Sequence, residues 1–173
     1  RVCPDLEVTR VLVNNKEIVS SAAEMLIGRG YKKIAHISGP EHINVFGDRQ
    51  AGYLSAIRKH KLNYRKIVRI NSAFTIQEGK KATADLFTGT EIPDALICDS
   101  HLLTLGAVYK IHELELKIPG DVGIVGFGDN PYIEALNAGI ISIVQPDASI
   151  AETVFQLIFN RIAKYDDNIS ASL

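Results

Sequence analysis

Short apolar runs alternate with segments of helical periodicity along most of the chain. The apolar runs occupy residues 11–13, 34–37, 67–70, 95–98, 122–125 and 140–144. The segments in which apolar residues recur every three or four positions are 16–29, 48–61, 75–87, 102–116 and 150–162. Strands and helices that alternate at this spacing predict βαβ units around a mostly parallel sheet. We therefore expect an α/β fold built as a three-layer αβα sandwich.

Two local signals mark ends of the predicted helices. Gly30 follows the segment 16–29 and suits a C-terminal cap, because glycine readily adopts the left-handed conformation found there. Thr75 and Glu78 have the spacing of a capping box, in which the glutamate side chain reaches back to the threonine amide. A helix is therefore expected to begin at about residue 75.

A glycine-rich, acidic loop at residues 126–130 directly follows the apolar run 122–125. The run is preceded by a Pro-Gly-Asp turn at residues 119–121, so it is predicted to be a strand that is buried on both faces. Ligands of open α/β sheets bind beyond the carboxyl ends of such strands. This loop is therefore the first candidate for a functional site.

Composition narrows the class of protein. The chain has 173 residues, of which 46% are hydrophobic and 23% charged, values that are ordinary for one globular domain. The formal net charge of the chain is −1, so the chain lacks the excess of basic residues that is typical of a nucleic-acid-binding domain. No signal peptide and no membrane-spanning apolar run is evident. Because the chain starts at Arg1 rather than at a methionine, we interpret it as a fragment of a longer protein.

The sequence offers little for catalysis, a cofactor or a metal. Gly126 and Gly128 follow a predicted strand, but the third glycine of a dinucleotide-binding motif is missing and Pro131 disfavours the helix that should follow. The five histidines are scattered and match no metal-binding spacing, and Cys98 is interpreted as a small buried apolar residue. We expect no cofactor, no metal and no enzymatic activity.

Polar and aromatic residues follow several of the predicted strands. In a parallel sheet they share one edge, where Phe74, Arg49 and Asp99, with Asp129 and Asn130, would offer an aromatic face, a cation and hydrogen-bond acceptors. Such a set is typical of a pocket for a small polar ligand such as a sugar or a nucleobase. The alternative is that these residues cap helices and form turns, and that Arg49 is an ordinary exposed arginine.

An ordered series of motifs carries a family resemblance. The motifs are Gly-Tyr-Lys-Lys-Ile-Ala-His-Ile-Ser-Gly-Pro at 30–40, Arg-Gln-Ala-Gly-Tyr at 49–53, Pro-Asp-Ala-Leu-Ile-Cys at 93–98, Leu-Gly-Ala at 105–107 and Ile-Pro-Gly-Asp-Val-Gly-Ile-Val-Gly-Phe at 118–127. This series resembles the effector-binding core of the LacI–GalR family of transcription regulators. The resemblance implies a two-lobed, periplasmic-binding-protein-like fold with the effector between the lobes.

The resemblance also implies how the chain is organised. Residues 1–14 would end the first lobe, 15–130 would form the C-terminal lobe, 131–145 would be a crossover segment, and 146–173 would be a terminal helix with a truncated tail. The DNA-binding domain would lie outside this chain. The implied function is allosteric effector binding in a cytoplasmic, dimeric regulator that acts on operator DNA, with a sugar as the expected effector and no membrane partner. The alternative is the periplasmic sugar-binding protein of a transporter.

Individual positions follow from the same resemblance. The expected effector contacts are Arg49, Phe74, Ser100, His101, Asp129 and Asn130. The family's usual aspartates fall on His101 and Gly128, so the hydrogen-bonding pattern departs from the family's, with Asp129 one position later as a substitute.

Helix 102–116 carries more apolar surface than one core face needs. The expected dimer contacts are Leu103, Leu105, Val108 and Tyr109, because the resemblance implies that this region joins two subunits. Packing of the helix on its own sheet is the alternative.

Overall fold

The computed structural model describes residues 9–128 and 139–170, with side chains as far as residue 163 in the last helix. The chain divides into two compact units. The described part of the first unit is residues 14–128 and 139–144, and that of the second is residues 9–13 and 145–170. The domain boundaries expected from the sequence remain a prediction.

The first unit alternates helices and strands. In chain order the elements are α1 (Asn15–Gly28), β1 (Ile34–Ser38), α2 (Asn44–Lys59), β2 (Lys66–Arg69), α3 (Ile76–Phe87), β3 (Ala95–Cys98), α4 (His101–Glu113), β4 (Gly123–Phe127) and β5 (Ile141–Ile143). The described strands form one sheet in the order β2-β1-β3-β4-β5, and every neighbouring pair is parallel. The predicted α/β fold with a mostly parallel sheet is confirmed.

Both faces of the sheet are covered, which explains why the central strands are continuous apolar runs. On one face Ile34 and Ile97 pack with residues of α1 and α2 such as Leu26 and Tyr53. On the other face lies a second cluster, with strand residues Ile37 and Leu96 and helix residues such as Leu86, Leu103 and Ile111. Residues that alternate along one strand therefore enter different core layers, as expected for a buried parallel sheet.

The helix ends agree with the local signals in the sequence. The Thr75 hydroxyl accepts a hydrogen bond from the Glu78 amide at 3.1 Å, so Thr75 caps α3. Gly30 has a φ of +99°, and its amide and that of Tyr31 donate to carbonyls in the last turn of α1. Asn14 caps the start of α1 through the Glu17 amide. These caps satisfy backbone groups that the ends of a helix leave unpaired.

The second unit consists, in its described part, of residues 9–13 and the helix α5 (Asp147–Ser170). An open groove of about 420 Å³ is lined by Thr9, Val11, Ile150, Val154, Leu157, Ile158 and Arg161. The apolar run 11–13 is not a strand, and Leu12 is 68% exposed. A strand needs a neighbour to complete its hydrogen bonds, and the described part of this unit contains no other strand. Of the six apolar runs, this is the one whose interpretation as a strand is wrong.

Candidate functional site

The carboxyl ends of β1, β3 and β4 bring several polar side chains to one edge of the sheet. Ser38 ends β1, Asp99 directly follows β3, and Phe127 ends β4. Because β3 pairs with both β1 and β4, these three residues come from adjacent strands. This edge is where ligands of open α/β sheets bind.

Arg49 reaches this edge from α2 and is held there by three different groups. Its Nε donates to the Asn15 side-chain oxygen at 2.8 Å, and its Nη1 donates to the Asp99 carbonyl oxygen at 2.9 Å. Its guanidinium carbon lies 3.5 Å from the centroid of the Phe127 ring. Arg49 is only 5% exposed. The guanidinium is therefore fixed in position before any ligand arrives, which lowers the entropic cost of binding.

The charge of Arg49 has a carboxylate nearby. Its Nη1 lies 3.9 Å from the Asp99 Oδ1. Burial lowers the pKa of Arg49, and the Asp99 carboxylate partly offsets this effect. A guanidinium remains protonated in proteins. The site thus contains a buried cation that is partly balanced by the anion of Asp99.

The Asp99 carboxylate is held by β1. Its Oδ1 lies 2.9 Å from the His36 Nε2, and its Oδ2 accepts from the Ser38 hydroxyl at 2.5 Å. All three side chains are buried. The His36 Nδ1 is buried and has no hydrogen-bond partner among the residues that the structure describes. Asp99 lies between the other two residues, so the order is serine–aspartate–histidine. That order does not let the histidine act as the base for the serine, which a nucleophilic triad requires.

A second set of hydrogen bonds continues from Ser38 toward β2. The Gln50 amide nitrogen donates to the Ser38 hydroxyl oxygen at 3.2 Å and to the Gly39 carbonyl at 2.9 Å. The Gln50 amide oxygen accepts from the Arg69 Nε at 2.9 Å, and Arg69 also pairs with Glu41 at 2.8 Å. Polar side chains from α2, β1 and β2 are therefore joined in one connected network.

Aromatic side chains form another wall of the site. The rings of Phe74 and Phe46 are 5.2 Å apart between centroids and tilted by 51°. A Cβ atom at Gly39 would overlap the Phe46 ring, so the glycine is what lets this ring lie against the end of β1. Phe74 is half-buried. A partly exposed aromatic ring beside fixed polar groups is suited to the apolar face of a sugar or a planar ring.

The comparison with protein families decides what kind of domain this is. A model described as a periplasmic binding protein-like domain matches residues 23–172. The chain belongs to this family. The fold expected from the sequence motifs is thereby confirmed.

Curated relatives and solved structures point to regulators within this family. The chain is 28% identical over 159 residues to the "HTH-type transcriptional repressor CytR" of Escherichia coli strain K12, covering 92% of the chain and 47% of the repressor. It is 28% identical over 141 residues to the "HTH-type transcriptional repressor PurR" of Yersinia enterocolitica, covering 82% of the chain and 41% of that protein. A LacI-family regulatory protein from Chloroflexus aggregans superposes with a TM-score of 0.87 at 29% identity, covering 94% of the chain and 59% of that structure.

These similarities confirm the resemblance to the LacI type and do not favour the transporter alternative. The chain spans about half the length of the curated relatives it matches. The named relatives are regulators rather than enzymes.

The structure places the six expected effector residues in different situations. Arg49 and Phe74 lie at the edge described above, although Arg49 is buried and bonded rather than an exposed arginine. Ser100 caps α4, because its hydroxyl accepts from the Leu103 amide at 3.2 Å. Its hydroxyl is thus occupied in the way that the capping alternative describes. Asp129 and Asn130 lie outside the described residues.

His101 takes the position next to the loop after β4. Its side chain is exposed, and its Cβ lies 3.3 Å from where a Cβ on Gly128 would be. Gly128 has a φ of +113°, a conformation that favours glycine. A side chain at position 128 would therefore be strained and close to His101.

The four expected dimer contacts are mostly part of the core. Leu103, Leu105 and Val108 are 0%, 7% and 1% exposed, because α4 packs closely against the sheet and α3. They have little surface to offer a second subunit. Tyr109 is 48% exposed and is the one of the four that can contact another molecule. Dimerisation itself remains a prediction.

Several site residues were missed by sequence reasoning. Asn15, His36 and Phe127 were not among the expected contacts, and Asp99 was left open between a ligand contact and a cap. Asn15 is 34 positions from Arg49, and Asp99 is 50 positions from it. The available signal was the polarity of His36 inside one apolar run and of Asp99 directly after another. Which residues these two side chains would face depends on the strand order.

Other chemistry finds no support in the described residues. Within residues 9–128 and 139–170 no group of three or more His, Cys, Asp or Glu side chains could hold a metal ion. In the same part of the chain no helix is both long and apolar enough to cross a bilayer. Burial raises the pKa of the Cys98 thiol, which therefore stays protonated and unreactive.

Proposed function

We propose that this chain is the effector-binding and dimerisation part of a LacI-type, DNA-binding transcription regulator. Its effector is a small polar molecule of the sugar type, and it binds at the edge formed by β1, β3 and β4. The observation that carries this proposal is the fixed guanidinium of Arg49, held by Asn15, Asp99 and Phe127. A buried arginine with its geometry set in advance is suited to oriented hydrogen bonds with a ligand's oxygens.

The proposed mechanism is a shift between two arrangements of the regulator. An effector that binds one arrangement more tightly moves the equilibrium toward it, and operator DNA then binds more tightly or more weakly by the same factor. The similarity to two curated repressors supports this mechanism. As a DNA-binding regulator the protein would act in the cytoplasm. The proposed dimer would use exposed surface that includes Tyr109.

A ligand screen on the longest natural form of the protein tests the proposal. Thermal unfolding is measured with a panel of uncharged monosaccharides and nucleosides, since a ligand that binds only the folded protein raises its melting temperature. The best compound is then titrated by calorimetry into the wild type, into Arg49→Lys, and into Arg29→Lys. The last variant is the control, because Arg29 is exposed at the end of α1.

Arg49→Lys keeps the charge but loses the planar fork of donors, so we expect its affinity to fall at least about tenfold. Arg29→Lys should bind as the wild type does. The change in operator affinity that the effector causes, followed by fluorescence anisotropy, should be weakened in parallel for Arg49→Lys, whether the effector tightens or loosens DNA binding. Equal affinity of the Arg49 and Arg29 variants would show that the effector binds elsewhere.

A further inference from the structure

A strongly basic stretch lies at the edge of the sheet opposite the one that carries the proposed effector site. Residues 58–66 contain two arginines and three lysines and no acidic residue, so they carry five positive charges. The whole chain has a formal net charge of −1, so the other residues together carry −6, which is −1 minus +5. This local excess of positive charge is not visible in the average composition.

The stretch connects the end of α2 to the start of β2. It therefore lies at the edge where the parallel strands begin, while the effector site lies where they end. An open concavity of about 310 Å³ is lined there by Arg58, Lys61, Leu62, Asn63 and Arg65. The three cations among these residues are all exposed and converge on one depression.

The five cations differ in their partners. Lys59 pairs with Glu24 at 2.9 Å, and Lys66 donates to the Glu91 carbonyl at 3.1 Å. In the described part of the chain no salt bridge is formed by Arg58, Lys61 or Arg65. Three like charges around one concavity repel each other, and an anion between them would relieve that repulsion.

The C-terminal end of α2 carries a partial negative charge, so cations near it are favourable. This effect accounts for only part of the cluster of Arg58, Lys61 and Arg65. The last turn of the helix is already closed by backbone donors, since the amides of His60, Lys61 and Leu62 bond to carbonyls of residues 56–58. The lysine side chain is therefore not needed as a cap. Lys61 also has a φ of +53°, at a position where glycine is the usual residue because it is free of strain. The lysine at position 61 therefore adopts a backbone conformation that is strained for a residue with a side chain.

We propose that Arg58, Lys61 and Arg65 form a binding site for a small, multiply charged phosphate compound, separate from the effector site. The cluster is confined to one concavity, whereas a nucleic acid needs cations spread along its backbone. Each cation supplies donors for a charge-assisted hydrogen bond to phosphate oxygens. The site does not depend on the proposed effector or its location.

Pyrophosphate is the probe for this site. Thermal unfolding of the full chain is followed as pyrophosphate is added at constant ionic strength, with chloride making up the difference. Lys61→Gly is the test variant, because it removes one charge and suits the left-handed backbone, so it should fold at least as well as the wild type. Glu115→Gly is the matched control, since Glu115 follows the end of α4 in the same way and has a φ of +58°.

We expect pyrophosphate to raise the melting temperature saturably for the wild type and Glu115→Gly. For Lys61→Gly the affinity should fall about tenfold, as expected for losing one charge-assisted contact, and Arg65→Gln should behave similarly. No saturable shift, an equal shift with chloride alone, or unchanged affinity in Lys61→Gly would overturn the proposal. Tighter binding of a DNA duplex than of pyrophosphate, lost in the same variants, would also overturn it in favour of a nucleic-acid surface.

Discussion

The guanidinium carbon of Arg49 lies 3.5 Å from the centroid of the Phe127 ring, which joins α2 to the end of β4. Phe127 is almost completely buried. A cation over an aromatic face is stabilised by the ring quadrupole, and the effect is larger where water is excluded. The ring therefore does two things at once: it fills the core layer under α1 and α2, and it supports the cation of the site.

This contact predicts a measurable coupling between the two side chains. Phe127→Leu removes the ring face but keeps an apolar side chain, and Arg49→Gln removes the charge. In a double-mutant cycle followed by denaturant unfolding, we expect a coupling energy of about 1–2 kcal/mol, as for a desolvated cation–π pair. Arg49→Gln alone should lower the free energy of unfolding by about 3 kcal/mol, because the Asp99 carboxylate loses the guanidinium near it. This value is the lower end of the range for removing one partner of a buried ion pair. Strictly additive single variants would mean that the ring serves only as core packing.

A second prediction concerns the Asp99 carboxylate. It accepts hydrogen bonds from His36 and Ser38 and lies near Arg49, so Asp99→Asn replaces a charged acceptor by a neutral one in a buried site. We expect the free energy of unfolding to fall by about 1.5–3 kcal/mol, the range for hydrogen bonds to charged groups. The measurement is urea unfolding at neutral pH.

Asp94→Asn provides the control for that experiment. Asp94 also accepts two hydrogen bonds, from the amides of Lys32 and Lys33, but these bonds are exposed to solvent. Asp94→Asn should therefore lower the free energy of unfolding clearly less than Asp99→Asn does. If both variants lost equal stability, burial would not be what makes Asp99 important.

Much of the fold could be predicted because the strands are buried on both faces. The run 95–98 is apolar throughout and the run 34–37 is apolar except for His36, and they become β3 and β1 at the centre of the sheet. The run 11–13 has the same local character but no neighbouring strand in its described unit. A short apolar run therefore indicates a possible strand, while its pairing depends on the rest of the chain.

The start of α2 shows a different limit. The helix was expected from residue 48, but it begins at Asn44, and its N-cap residue Ile43 makes no side-chain cap. Without a Ser, Thr, Asp or Asn at that position the sequence contains no start signal.

For the proposed site, the sequence motifs predict Arg49 and Phe74 as effector contacts. Both residues lie at the expected edge of the sheet, and their contact with an effector stays a prediction. The partners of Arg49 could not be predicted, because Asn15 and Asp99 reach it through α1 and β3, far away in sequence. Local spacing records helix caps such as Ser100. It does not record contacts that depend on the order of strands and on which helices cover each face.

A third prediction concerns the crossing of α3 and α4. A Cβ on Gly106 would overlap the Ile76 carbonyl and lie 2.8 Å from the Gly79 Cα, so the two helix backbones touch there. Alanine favours helices over glycine by about 1 kcal/mol. Because the backbones cannot move apart cheaply, we expect Gly106→Ala to lower the free energy of unfolding by about 2–3 kcal/mol despite that preference.

The control for the helix crossing is Gly28→Ala in α1. In the described part of the chain, no heavy atom outside the adjacent helix backbone lies within 4 Å of where a Cβ on Gly28 would be. The helix preference should therefore act alone and leave stability unchanged or raised by up to about 1 kcal/mol. The stabilities of both variants and of the wild type are measured by thermal and urea unfolding. A gain of stability in Gly106→Ala would mean that the helices are less closely packed than the structure indicates.

The last prediction concerns stability at high pH, through two buried tyrosines. Burial raises the pKa of Tyr53, whose hydroxyl donates to the Ile34 carbonyl at 2.7 Å. Burial, with the nearby carboxylates of Glu91 and Asp94, raises the pKa of Tyr64 to about 12. Folding therefore favours the neutral phenols. Their contribution to stability is complete below pH 10, the pKa of an unfolded tyrosine. For Tyr64 this contribution is lost as the pH rises from 10 to about 12, the pKa of Tyr64 in the folded protein.

The melting temperature should accordingly fall more steeply between pH 10 and about 12 in the wild type than in Tyr64→Phe, which has no phenol to ionise at that position. Between pH 10 and about 12, the wild type should lose up to about 2 kcal/mol more of its free energy of unfolding than Tyr64→Phe does. Tyr109→Phe is the matched control, because Tyr109 is 48% exposed and the chemical change is the same. Lysines that lose their protons over the same range affect all three proteins equally, so only the differences between them are compared. Identical slopes for wild type and Tyr64→Phe would contradict the raised pKa of Tyr64.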